Sequence, residues 1–127
     1  VFDNFYGTGR AQVEALRNAG HDVILEIDWQ GAQQVRKAQA DCVTIFILPP
    51  SRLELEKRLR NRKTDSDEVI ALRLRNAIDE MHHWPEYRYR LLSGAPEEDY
   101  GKFKSLLFGE RMRVSRLSKS DLNSLVG

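Results

Sequence analysis

Two carboxylates, three arginines and two hydroxyl-bearing residues are the side chains whose types and spacing could do chemistry in this chain. Glu26 and Asp28 stand two apart in Val23-Ile24-Leu25-Glu26-Ile27-Asp28-Trp29-Gln30-Gly31. Four apolar residues in five positions, three of them β-branched, suit a strand buried on both faces of a parallel sheet. Unpaired charges are costly to bury, so the two acids belong at the strand's C-terminal mouth, where open α/β sheets bind ligands. An apolar strand ending in acid can hold Mg²⁺ against nucleotide phosphates. The plainer reading is a strand-end carboxylate that caps the following helix. On this stretch alone both readings stand.

Arg58 and Arg62 lie four apart at a helix end, and Arg73 sits in the next helix across a short charged loop. Guanidinium groups brought together in a helix-loop-helix lid suit a polyphosphate, which they bind through two parallel hydrogen bonds each. The charge pattern alone favours a solvated surface instead, with Glu54, Glu56, Asp65, Asp67 and Glu68 as local partners. Tyr6 and Thr8, beside Gly7 and Gly9, could offer hydroxyls to a ligand or simply belong to a turn. His82 and His83 are adjacent, so on a helix they point some 100° apart and do not form a metal pair; they read as structural or exposed. Cys42 reads as a small core residue.

The elements that must position these residues follow from periodicity and capping. A turn is expected over 3–9, then a helix over 10–18 stopped by Gly20, the acidic strand over 23–27, and a helix over 32–38. A second buried strand over 43–48 ends at Pro49-Pro50. Ser51 and Glu54 make a capping box for a helix reaching about Asn61. A longer helix is expected over 67–83, with Ile70, Leu74, Ala77, Ile78 and Met81 on one face. A strand over 87–92 and a helix over 98–116 complete the order. The alternation indicates an α/β fold with a doubly wound parallel sheet. With 41% hydrophobic and 31% charged residues, the 127-residue chain is globular rather than disordered. No apolar run is long enough to cross a membrane, and a single cysteine fits a reducing, cytoplasmic setting. Arg111, Arg113, Arg116 and Lys119 form a basic cluster near the C-terminus. No aromatics interleave with it, so nucleic acid is not an expected partner.

Three stretches together resemble guanylate kinase, the family that moves phosphate from ATP to GMP. They are Asn4-Phe5-Tyr6-Gly7-Thr8, Leu25-Glu26-Ile27-Asp28-Trp29-Gln30-Gly31, and Ile45-Phe46-Ile47-Leu48-Pro49-Pro50-Ser51 leading into Arg58-Leu59-Arg60-Asn61-Arg62. Their order and spacing match as well, over residues 1–116. By position the resemblance implies that Tyr6 holds the GMP phosphate, Thr8 reads the guanine edge and Asp28 takes the guanine amino group. It implies that Glu26 is the acid associated with Mg²⁺ through water. It makes Arg58, Arg62 and Arg73 the lid arginines that meet ATP and the phosphoryl group in flight. Phosphoryl transfer depends on positioning and positive charge around the moving group, with little covalent help.

The resemblance also implies what to look for in the fold. It is a P-loop NTPase-like sheet, expected to be truncated, because the family's N-terminal strand, phosphate loop and lysine match nothing in these residues. Residues 1–22 then end the GMP-binding region, 23–50 supply core strands, 51–84 the lid and its flanking helices, and 85–127 the last core strand and helix. The absent strand belongs between 23–27 and 43–48, so an open slot about 9.6 Å wide is expected there, twice the usual strand spacing. Strand addition or self-association through that exposed sheet is the expected consequence. Glu26 stands where the family usually has aspartate. Arg88, Arg90, Ser93 and Gly94 replace an acid, an apolar residue, an asparagine and an acid near the adenine site. A catalytically dead guanylate-kinase-like module that binds protein partners is the rival reading; scaffolds of that kind tend to lose lid arginines, and this chain keeps Arg58, Arg62 and Arg73.

Overall fold

The structure, a computed structural model, describes residues 2–61, 66–116 and 118–126, without the side chains of 2–8, 119 and 121. Helix α1 (Phe2–Asn18) runs through the expected turn at 3–9. The freedom of the glycines there is not used. Among the described residues Gly20 alone takes positive φ, at 90°. It closes α1 as expected: Gly20 N donates to Arg17 O at 2.9 Å and His21 N to Leu16 O at 3.0 Å, the paired bonds of a Schellman stop.

Two strands pair in parallel, β1 (Ile45–Leu48) and β2 (Tyr89–Leu92), in the register Ile45 to Tyr89 through Leu48 to Leu92. Each is shorter than its expected range. The crossover between them contains α3 (Arg52–Arg60) and α4 (Asp67–Met81), which pack on each other. Ser51 caps α3, its Oγ accepting from Glu54 N at 3.1 Å, and Ser66 caps α4. After α4 a 3-10 turn (Trp84–Glu86) takes Pro85 in its first turn. Helix α5 (Pro96–Arg111) packs against β2; it starts earlier and ends sooner than expected. A 3-10 turn (Val114–Arg116) and a short α6 (Lys119–Val126) follow, where a single helix to 116 was expected.

The main correction falls on residues 23–27, which pair with no strand among the described residues. Their side chains still alternate as a strand's do: Val23, Leu25 and Ile27 are half-buried, Ile24 and Glu26 exposed. A ladder needs a neighbour at hydrogen-bonding distance, and a cleft of about 1070 Å³ takes that place, lined by Val23, Leu25, Ile27, Val43, Ile45 and Phe103 among others. No ladder joins the segment to β1 among the described residues, and the cleft is lined from both. The doubly buried acidic strand is not formed among the described residues.

The core is correspondingly small. Ala32, Phe46, Ile70 and Leu91 are its buried apolar members among the described residues. Phe46 meets the Tyr87 ring edge-on at 4.9 Å. Ile47 and Leu91 are register partners and so share a face of the sheet. Leu91 is 5% exposed and Ile47 is 65% exposed.

Candidate functional site

Parallel strands direct their carboxyl ends to one mouth, and the candidate residues gather there unevenly. At the end of the 23–27 segment, Asp28 is the N-cap of α2 (Trp29–Ala38), its Oδ1 accepting from Gly31 N at 2.9 Å. The carboxylate thus caps a helix, as the plainer reading held. One of its two oxygens does this, leaving Oδ2 for a donor from a ligand. The turn is tight. A Cβ on Gly31 would come within 3.1 Å of Ile27 Cβ, so glycine lets the helix start close against the segment.

The start of α2 is braced from the far end of α4. Trp29 stacks on His83 with ring centroids 3.7 Å apart. His83 Nδ1 contacts Glu86 Oε2, while Glu86 Oε1 accepts from Gln33 Nε2 at 2.7 Å and Arg36 Nη2 at 3.1 Å. The Gln33 hydrogen bond, then the contact to His83, holds the Glu86 carboxyl below its ordinary range. His83 is structural, as its sequence context implied. The bracing by Glu86 had no sequence signal beyond proximity to Pro85.

At the carboxyl end of β2, Arg58 Nη1 donates to Ser93 Oγ at 3.2 Å and Nε to Glu54 Oε1 at 3.2 Å. Ser93 Oγ donates to Asp99 Oδ2 at 3.0 Å, and Gly94 N donates to Asp99 Oδ1 at 2.8 Å. The Gly94 amide is the main cause that lowers the Asp99 pKa. Asp99 was missed in the sequence; an acid in the first turn of a helix is ordinary, and only the folded loop shows which donors it meets. With Ser93 and Gly94 at this loop, Asp99 supplies a carboxylate beside Arg58.

Arg58 is brought to the mouth, while Arg73 lies on the exposed face of α4. Neither lines the cleft, which Glu26, Asp28 and Asp99 do. Arg62 lies outside the described residues, as do the side chains of Tyr6 and Thr8. No three His, Cys, Asp or Glu side chains converge on a metal-sized point among the described residues. Mg²⁺ asks for less than that when phosphates are present: one or two carboxylates, with the remaining ligands from water and phosphate. Glu26, exposed at the rim of the cleft, fits such a role. Cys42 is half-buried, and burial raises its thiol pKa, as for an inert small core residue.

A parallel sheet with acids and an arginine at its strand ends places the chain among open α/β proteins that bind ligands at that edge. Comparison with known proteins makes this specific. A family model described as guanylate kinase matches residues 1–110. The guanylate kinase of Bradyrhizobium diazoefficiens is 53% identical over 117 residues, covering 91% of this chain and 53% of that protein. The guanylate kinase of Chromohalobacter salexigens is 50% identical over 117 residues, covering 92% and 54%. That of Salmonella typhimurium is 45% identical over 126 residues, covering 99% and 60%. The chain belongs to the guanylate kinase family, a family of nucleoside monophosphate kinases, and spans just over half the length of these relatives. No helix among the described residues is long and apolar enough to cross a membrane.

Proposed function

We propose that the chain carries part of a guanylate kinase site, for transfer of the ATP γ-phosphate to GMP, and that these 127 residues do not turn over alone. The observation that carries this reading is the apolar cleft between 23–27 and β1, opening at the mouth that holds Glu26, Asp28 and Asp99. A strand laid in that cleft would deliver the residue after it to the same mouth. The sequence contains no Gly-x-x-x-x-Gly-Lys-Ser/Thr loop, the element that cradles ATP phosphates in such kinases. A strand-plus-loop segment in the cleft, of the kind the notched sheet can pair on both sides, completes the site.

In the completed site, Asp28 Oδ2 accepts from the guanine amino group while Oδ1 keeps α2 capped. Tyr6 binds the GMP phosphate and Thr8 the guanine edge. Arg58, Arg62 and Arg73 close around the phosphates, holding them in line and offsetting charge on the moving group. Mg²⁺, held near Glu26 through water, supplies charge neutralisation at the phosphate oxygens. Retention of the three arginines supports the enzyme reading over a protein-binding module. The setting is cytoplasmic, and the unfilled sheet drives self-association.

The test is a coupled assay of ADP release from ATP and GMP. The chain is assayed alone and mixed with the part of the Bradyrhizobium relative that lies outside the match. No turnover alone and GMP-dependent turnover on mixing is the expected result. Turnover by the chain alone at the rate of an intact kinase overturns the reading.

A further inference from the structure

The other end of the same cleft, where Glu110 and Arg116 are among the lining residues, holds a charge arrangement to which the proposed kinase chemistry assigns no role. Glu110, at the end of α5, is 4% exposed and the one buried charged residue among those described. Tyr89 at the start of β2 donates its hydroxyl to Glu110 Oε1. Three guanidinium groups approach the other oxygen, Oε2: Arg113 Nε at 2.9 Å, Arg88 Nη1 at 3.7 Å and Arg116 Nη2 at 3.8 Å. They come from three places: the residue before β2, the one after the helix cap, and the 3-10 turn beyond.

One carboxylate does not need three arginines. Arg113 and Tyr89 already hold it, and they come from α5's own end and from the strand it packs on. Oε2 is shut off from water, and Arg113 Nε makes the closest approach to it. Arg88 and Arg116 spend no guanidinium N–H on a hydrogen bond among the described residues; Arg88 is instead pinned through its backbone, its N donating to Thr44 Oγ1 at 2.9 Å. The three side chains remain between 35% and 46% exposed, and Arg113 also donates from Nη2 to the Tyr89 hydroxyl at 3.4 Å. The local sum is three positive charges against one negative. Arg111 does not change it, because Asp22 pairs with it. The C-terminus of α5 contributes roughly half an elementary negative charge, which one guanidinium offsets.

We propose that Arg88, Arg113 and Arg116 form a phosphate-binding site at the amino-terminal end of the sheet, opposite the mouth that holds Asp28. A tetrahedral anion with several oxygens can take the outward N–H groups of all three at once, in the forked geometry that guanidinium offers to phosphate. Glu110 is the buried anchor that holds the three heads together before the ligand arrives, so little side-chain freedom is left to lose on binding.

Pyrophosphate is the probe, with binding to the full 127-residue chain measured by equilibrium dialysis at constant ionic strength with chloride as the balancing anion. The expected result is an affinity at least tenfold weaker in the double variant Arg88→Gln/Arg116→Gln. The control Arg60→Gln removes one surface charge already paired with Glu56 and Asp67, and leaves binding unchanged. Far-UV circular dichroism establishes that the double variant keeps its helices. Should it not, the single variant Arg116→Gln, on the exposed turn, carries the test with at least a threefold loss. Unaltered pyrophosphate binding in the folded variant overturns the proposal, and so does an equal loss in Arg60→Gln, which marks general charge attraction.

Discussion

Segment 23–27 and strand β2 are both short apolar runs aimed at the same mouth, and they are held in opposite ways. Strand β2 is paired along its length with β1, covered by α5, and tied at both ends: Thr44 binds the backbone at Arg88 and Tyr89, and Leu48 O accepts from Ser93 N at 2.7 Å. Asp99 then locks the loop beyond it. Segment 23–27 has the pleat of a strand and no ladder. It is attached through its ends, by the Gly20 stop behind and the Asp28 cap ahead. One side of this sheet is built by pairing and the other by helix termini, and the cleft between them leaves even the paired Ile47 exposed, so substitutions should cost unlike amounts at the cleft and in the core.

The largest expected effect separates Leu91 from Ile47, which share a face. Leu91→Ala should cost about 2–5 kcal/mol, as for a buried leucine. Ile47→Ala, at the cleft, should stay within about 0.5 kcal/mol. Urea titrations of both variants check this, and equal costs would erase the distinction. A strand bound in the cleft should raise the cost of Ile47→Ala toward that of Leu91→Ala, which sharpens the comparison.

Acid should loosen the paired side. The carboxyls of Glu110 and Asp99 titrate below their ordinary values, through the Tyr89 hydroxyl for the first and the Gly94 amide for the second. Their folded pKa values lie below the unfolded ones. Their contribution is therefore complete above the unfolded values of about 4 and is lost as pH falls through the folded values. Melting temperature should drop as pH falls below about 4, and Glu110→Gln should flatten that drop while lowering stability at pH 7. A drop of the same steepness in Glu110→Gln would remove the buried carboxylate from the cause.

A smaller effect divides the two roles of Asp28. Asp28→Ala should cost about 1 kcal/mol by removing the cap of α2. Asp28→Asn keeps a good cap, so stability should change by less than about 0.5 kcal/mol. In the mixed, complemented kinase the same Asn variant should still raise the GMP KM, because an amide does not replace an acceptor-only carboxylate facing an amino group. An unchanged KM would leave Asp28 with its cap alone.

What could be read from the sequence follows the same division. Ser51 with Glu54, the apolar face of 70–81 and the Pro49-Pro50 stop are local signals, and α3, α4 and the end of β1 lie where those signals put them. Asp28 was legible in both its readings. The strand at 23–27 was not, because pairing belongs to two segments and composition reports on one. Glu110 stood in plain view beside Arg111 and Arg113, yet nothing in that run says which of the charges turns inward. Asp99 and Glu86 are likewise ordinary acids until a fold brings donors to them.

The stack of Trp29 on His83 also gives the molecule a light of its own. Indole emission depends on what its ring touches, and the chain has just two indoles, Trp29, which stacks on His83, and Trp84. With Trp84 replaced by Phe, the remaining emission comes from the first residue of α2, beside Asp28. Its intensity then reads out, without any ligand, whether the helix that presents Asp28 is still seated on the far end of α4.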